Sequence, residues 1–186
     1  MATPIYPLVT VEDLESMPDD GNRYEVIEGE LFMSGAAGLT HQNASGNLFY
    51  SFREYLETHP IGKVLATPGI VFSDIDSVIP DLVFFTNERA RLIISGERII
   101  AAPDLIVEII SPGPDNERRD RIAKRQLYGR FGVREYWIVD PQQRTIEVFS
   151  WKDGALTQSV LFQGDDELSS ALLPGFNLKL ARVFAV

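Results

Sequence analysis

The chain has 186 residues, 45% of them hydrophobic, and a formal charge of −10, which suits one domain with a sizeable core. It has no cysteine and only two histidines, which excludes disulfides, thiolate metal sites, cysteine nucleophiles and histidine-rich metal sites. The negative charge argues against sequence-blind binding of polyanions, which needs positive surface, but not against a nucleic-acid enzyme whose acids gather at a metal.

No apolar stretch approaches the ~20 residues of a membrane span. The opening MATPIYPLVTVEDL lacks the basic start and apolar core of a signal peptide, so the expected location is cytoplasmic. Neither a linker nor a repeat divides the chain, and one domain is expected over residues 1–186.

The first predicted element is a short helix from Thr10 to Met17, capped by Thr10 with Asp13 three residues on. RYEVIEGELFM (23–33) alternates about Gly29 and reads as a tight hairpin or one bent strand. From His41 to His59, Leu48, Phe49, Phe52, Tyr55 and Leu56 keep helical spacing, and Pro60 ends the helix. Strands are expected at 62–73, 79–86 and 98–111, the last pairing only after Pro103. A second helix spans 115–131, with Asp115 or Asn116 as cap and Gly132 just past its end. EYWIVD (135–140) is a core strand that PQQR turns into 145–151, and a last strand near 156–163 precedes the Pro174-Gly175 turn and an apolar tail. Helix, strands, helix, strands without strict alternation predicts a mixed α/β (α+β) fold, a central mixed sheet flanked by helices.

Within PDLIVEIISP (103–112), Glu108 interrupts a run that otherwise suits a buried strand. A buried carboxylate needs a basic partner, a raised pKa or a cation. Asp104 and Glu108 share a strand face but lie about 13 Å apart, too far to ligate one ion. The partner must come from another element. Asp81, at the start of IPDLVFF, is the candidate, because one acid from each of two adjacent strands makes an oxygen-lined corner suited to Mg2+ or Mn2+.

IPDLVFF, PDLIVEIISP, the helical Asp120, Lys124 and Tyr128, and GVREYWIVDP resemble the Uma-type family of putative restriction endonucleases, within the PD-(D/E)XK nuclease superfamily. The resemblance covers roughly residues 10–180, including RYEVIEGEL and the helix-starting His41. It implies a restriction-endonuclease-like fold, metal-dependent cleavage of phosphodiesters, DNA as partner, and an enzyme rather than a binding module. Asp81 matches the PD acid and Glu108 the second acid, the two metal ligands. The superfamily lysine position, two residues after Glu108, holds Ile110; in the Uma-type pattern the lysine comes from the next helix, where Lys124 stands. Glu25 and His41 match further catalytic positions. A homodimer would let two sites cut both strands of a duplex.

Blander roles stay open on the residues alone. Glu108 could pair with Arg98 or Lys124, Lys124 could belong to a solvated basic face, and His41 could cap its helix. Of Glu25 and Glu28, only one can point inward, and Glu25 is favoured. Asp104 and Asp140 read as turn residues, Tyr136 and Trp137 as core. The charge of −10 and Ile110 leave room for a rival: a nuclease-fold scaffold that binds but no longer cuts. A hydrolase of some smaller phosphoester would keep the metal corner without a basic groove.

Overall fold

The computed structural model describes residues 7–185. Residues 1–6, on which the reading of the leader rests, the tail's Val186 and the side chains of Pro114 and Asp115 lie outside the described residues.

Helix α1 (Val11–Leu14) is shorter than expected, but Thr10 and Asp13 close the capping box at its start. Strands β1 (Arg23–Ile27) and β2 (Glu30–Ser34) form the hairpin. Glu28 and Gly29, at φ 53° and 76°, make a two-residue turn with both centres left-handed. A Cβ on Gly29 would also stand 2.6 Å from Leu8 Cδ2. Helix α2 (Leu39–Thr58) follows.

The run expected as one strand at 62–73 breaks at Thr67-Pro68-Gly69 into β3 (Gly62–Ala66) and β4 (Ile70–Ser73), which enter different sheets. Proline cannot donate to a ladder, and Thr67 sits at φ 50° with its N–H on the carbonyl of Asp81, 2.9 Å away. Next come β5 (Asp76–Val78), β6 (Leu82–Thr86), α3 (Asn87–Ile93), β7 (Ile94–Ser95), β8 (Arg98–Ile99) and β9 (Leu105–Ile109). The stretch 98–111 is thus two strands, parted around Pro103.

One crossover helix is built from α4 (Pro114–Arg118), a π-helical segment (Arg119–Lys124) and α5 (Arg125–Phe131). It starts with proline at its first position, so Asn116 lies inside the first turn rather than capping it. Gly132, at φ 82°, closes it in the left-handed conformation. Strands β10 (Glu135–Asp140), β11 (Thr145–Lys152), β12 (Ala155–Phe162), β13 (Glu167–Ser169) and β14 (Asn177–Lys179) and helix α6 (Leu180–Val183) complete the order.

The expected mixed α+β fold is present, its strands divided between two six-stranded mixed sheets, β2-β1-β5-β4-β8-β7 and β12-β11-β10-β9-β6-β3, with β13-β14 as a separate pair. In the second, β9 and β10 run parallel, joined by the crossover helix, and the other pairs are antiparallel. Its two faces carry separate cores. Val107, Ile109, Trp137 and Val139 face Leu48 and Phe52 of α2 and the tail residues Phe176 and Val183. Ile106, Ile110 and Ile138 face Leu127 and Tyr128 of α5 and, from the first sheet, Ile27 and Ile70. The apolar tail therefore covers the core of its own chain. Tyr136 and Trp137 are fully buried, as expected.

Candidate active site

Glu108 lies on the β9 face covered by the crossover helix, between Ile106 and Ile110 of that core. The antiparallel register Leu82↔Val107 carries Asp81, one residue before β6, to the position opposite Glu108. Asp81 is held by the Ile109 amide, which donates to its Oδ2 at 2.8 Å, and by His41 Nε2 on the same oxygen at 3.1 Å. Gly38 stands at the N-cap position of α2, so His41 is not the cap; it points at an acid.

Lys124 reaches the corner from the crossover helix. Its Nζ lies 2.9 Å from Glu108 Oε1, 2.9 Å from Glu25 Oε1 and 4.0 Å from Asp120 Oδ1, and its side chain is 2% exposed. All five expected residues, Glu25, His41, Asp81, Glu108 and Lys124, line one cavity of about 40 Å3. Glu25 is the buried acid of its hairpin and also accepts the Ile79 amide at 2.7 Å; Glu28 is exposed and pairs with Arg130. The pairing of Glu108 with Arg98 does not occur: Arg98 meets Glu15 at the surface. Arg121 pairs with Asp140 and Glu147. Asp104 is structural, accepting the Thr86 amide at 2.8 Å and the Thr86 hydroxyl at 3.1 Å, with Arg134 beside it. Asp140 accepts two turn amides.

Asp120, Tyr128, Tyr136 and Arg119 escaped the assignment of site roles. Asp120 is buried, lines the cavity and holds Arg119 Nε at 3.1 Å. Tyr128 donates to Glu108 Oε1 at 2.7 Å, and Tyr136 donates to the Asp120 carbonyl at 2.9 Å. Asp120, Lys124 and Tyr128 fall at intervals of four, one stripe of a helix; that spacing was the available signal. The π-helical segment is the helix irregularity often found at functional sites.

The electrostatics follow from burial. Four buried acids, Glu25, Asp81, Glu108 and Asp120, face buried Lys124, the largely covered Arg119 and, at the rim, Arg23. Desolvation, with Asp81, Asp120 and Glu25 nearby, pushes Glu108 from 4.5 up to about 8 despite Lys124. Burial likewise raises Asp120. Burial opposes ionisation of Asp81 too, but the His41 bond and charge, the Ile109 amide and Lys124 hold it below the usual carboxylate value. Burial alone would lower the pKa of Lys124; Glu108, Glu25 and Asp120 outweigh it and raise it.

This donor set fits a hard divalent ion. The oxygens are carboxylates, acids outnumber cations, and both named contacts of each strand acid fall on one oxygen, Oε1 of Glu108 and Oδ2 of Asp81. The other oxygen of Asp81 lies 3.8 Å from Arg23 Nη1. Among the described residues no three His, Asp or Glu side chains form a ready cage.

Two acids opposed on adjacent sheet strands, with a lysine from the crossover helix, in a mixed α+β fold, define a protein of the restriction-endonuclease-like class. A family model described as Uma2, putative restriction endonuclease, matches residues 11–181, and the chain belongs to that family. A crystal structure described as a putative nuclease from Anabaena variabilis ATCC 29413 superposes with a TM-score of 0.79 at 19% identity, covering 95% of this chain and 98% of that one. At that identity the likeness speaks for the fold. The search of curated proteins gave no match. Among the described residues no helix is long and apolar enough to cross a membrane.

Proposed function

We propose that this chain is one nuclease domain that hydrolyses phosphodiester bonds of DNA with a divalent ion, Mg2+ or Mn2+, held by Asp81 and Glu108. The observation that carries the reading is the convergence of Asp81, Glu108, Glu25 and Lys124 on one small, acid-rich cavity. When bound, such an ion supplies positive charge at the phosphate and lowers the pKa of a water.

The protein's own groups have distinct parts. Lys124 is the buried ammonium of the cavity, its charge supported by Glu108, Glu25 and Asp120. Its N–H groups can hold the attacking water or stabilise charge developing on the nonbridging oxygens. Glu25, fixed by the Ile79 amide, and Tyr128 position Lys124 and Glu108. His41 orients Asp81. Arg119, which lines the cavity beside Asp120, supplies a cation for the phosphate.

A second reading is favoured by one observation: Lys124 and His41 already occupy an oxygen of each strand acid. A chain locked that way would bind nucleic acid without cutting it. Supercoiled plasmid with Mg2+ or Mn2+ separates the two, beside an EDTA control and Glu108→Gln. Nicking that requires both metal and Glu108 supports the nuclease; intact plasmid under all conditions supports the scaffold. Cutting of both strands in step would further point to a homodimer, which sedimentation of the purified chain tests directly.

A further inference from the structure

Beside the catalytic cavity lies a larger cleft of about 350 Å3, between the β1–β2 hairpin and the crossover helix. Apart from Arg119, the proposed chemistry uses none of the residues that line it. Its volume falls in the range of small-ligand sites, roughly 300–1,000 Å3. Its walls divide by chemistry: Ile27, Phe32 and Ile122 are apolar, Arg118 and Arg119 are cationic, and Glu30 is an acceptor. Glu28, which also lines it, is engaged by Arg130 at 2.6 Å.

The cleft and the cavity adjoin. Arg119 lines both. Along β2, Glu30, Phe32 and Ser34 share one face; the first two line the cleft and Ser34 lines the cavity. A strand whose phosphate sits at Asp81 and Glu108 would thus place a neighbouring nucleotide over Phe32 and Ile122, with a phosphate near Arg118 and Arg119. Flat apolar walls receive a base by stacking only when it is out of its duplex. The carboxylate of Glu30 accepts from an amino group, as acids do toward cytosine N4, and repels a carbonyl at that place.

We propose that this cleft is a subsite for one unpaired nucleotide whose base bears an exocyclic amino group, read by Glu30. The inference rests on the nuclease reading for placing nucleic acid at Arg119. It predicts a base preference that can be measured without cleavage.

The probes are fluorescein-labelled dC12 and dT12, bound to the full chain at pH 8 in EDTA and followed by fluorescence anisotropy. The two pyrimidines are of similar size and differ at position 4 (N4 amino against O4), at N3 (acceptor against N–H) and in thymine's 5-methyl, so the comparison with Glu30→Gln isolates the part read by the carboxylate. Wild type should bind dC12 about tenfold more tightly than dT12. Glu30→Gln should bring the ratio below about threefold, because an amide can accept from N4 or donate to O4. Glu30 is exposed, so this variant leaves the core alone. Ile122→Asp, at a side chain 48% exposed, should weaken both probes about tenfold by placing a charge against the base and phosphate. Equal binding of the two probes, no binding of either, or a preference that survives Glu30→Gln overturns the subsite. Metal-dependent plasmid nicking with equal binding of dC12 and dT12 would remove the subsite and keep the nuclease. Intact plasmid with a Glu30-dependent preference would remove the nuclease and keep the subsite.

Discussion

The buried Glu108 makes a prediction about stability that is independent of any reaction. In the folded protein its pKa is pushed from 4.5 up to about 8. Between those values the folded state holds a proton that the unfolded chain releases. Stability from this group is therefore fully present below pH 4.5 and is lost as pH rises toward 8. The whole loss is about 5 kcal/mol at ~1.4 kcal/mol per pH unit, and about 3 kcal/mol of it falls between pH 5.5 and 9. Glu108→Gln keeps the shape and cannot ionise. In EDTA, its stability relative to wild type should rise by about 3 kcal/mol between those two pH values. For a chain of this size that is a relative shift in Tm of roughly 6–12 °C. Calorimetric melts of both proteins at the two pH values measure it, and taking the difference cancels groups common to both. A relative stability that stays flat, or that favours wild type at pH 9, would refute the reasoning about burial.

The neighbours of Glu108 make related predictions. Lys124→Met leaves Glu25, Glu108 and Asp120 without their buried cation, and urea melts at pH 8 should show a loss of about 3–5 kcal/mol, smaller at pH 5.5 where the acids take up protons. Its plasmid cleavage should be abolished. Tyr128→Phe removes the 2.7 Å bond to Glu108 and should cost about 1–2 kcal/mol, more at pH 9 than at pH 5.5, because the acceptor is then charged. Asp104→Asn should weaken the anchoring of Thr86 and the Arg134 pair by about 1–3 kcal/mol while leaving cleavage per folded molecule unchanged. Lost cleavage in a folded Asp104→Asn protein would overturn its structural role.

Much of this was legible where one physical rule dominates. The largely apolar runs at 105–109 and 135–140 are buried on both faces and form the parallel pair at the sheet's centre. The alternation about Gly29 gave the hairpin, and the spacing of Leu48 and Phe52 gave α2. Asp81 and Glu108 could be paired because strand spacing limits which acids can meet. The break at Thr67-Pro68-Gly69 was visible as Pro68, but its consequence, a switch between two sheets, depends on long-range pairing. The π-helical segment leaves no mark in periodicity, so nothing local in the sequence singles out Arg119. His41 has no local cue to its partner, which lies 40 residues away in sequence. The resemblance supplied Lys124, whose surroundings read as a solvated face; only tertiary packing buries it.

The central claim is that Asp81 and Glu108 form the metal corner, and Mn2+ binding tests it most directly. Isothermal titration of the wild-type chain at pH 8, with the bound ion followed by electron paramagnetic resonance, should show saturable Mn2+ binding. Asp81→Asn and Glu108→Gln should each abolish it or weaken it by at least about tenfold, while both proteins still melt cooperatively. Equal binding by all three proteins, or none by wild type, would contradict the account and leave Glu108 as one end of a buried ion pair with Lys124.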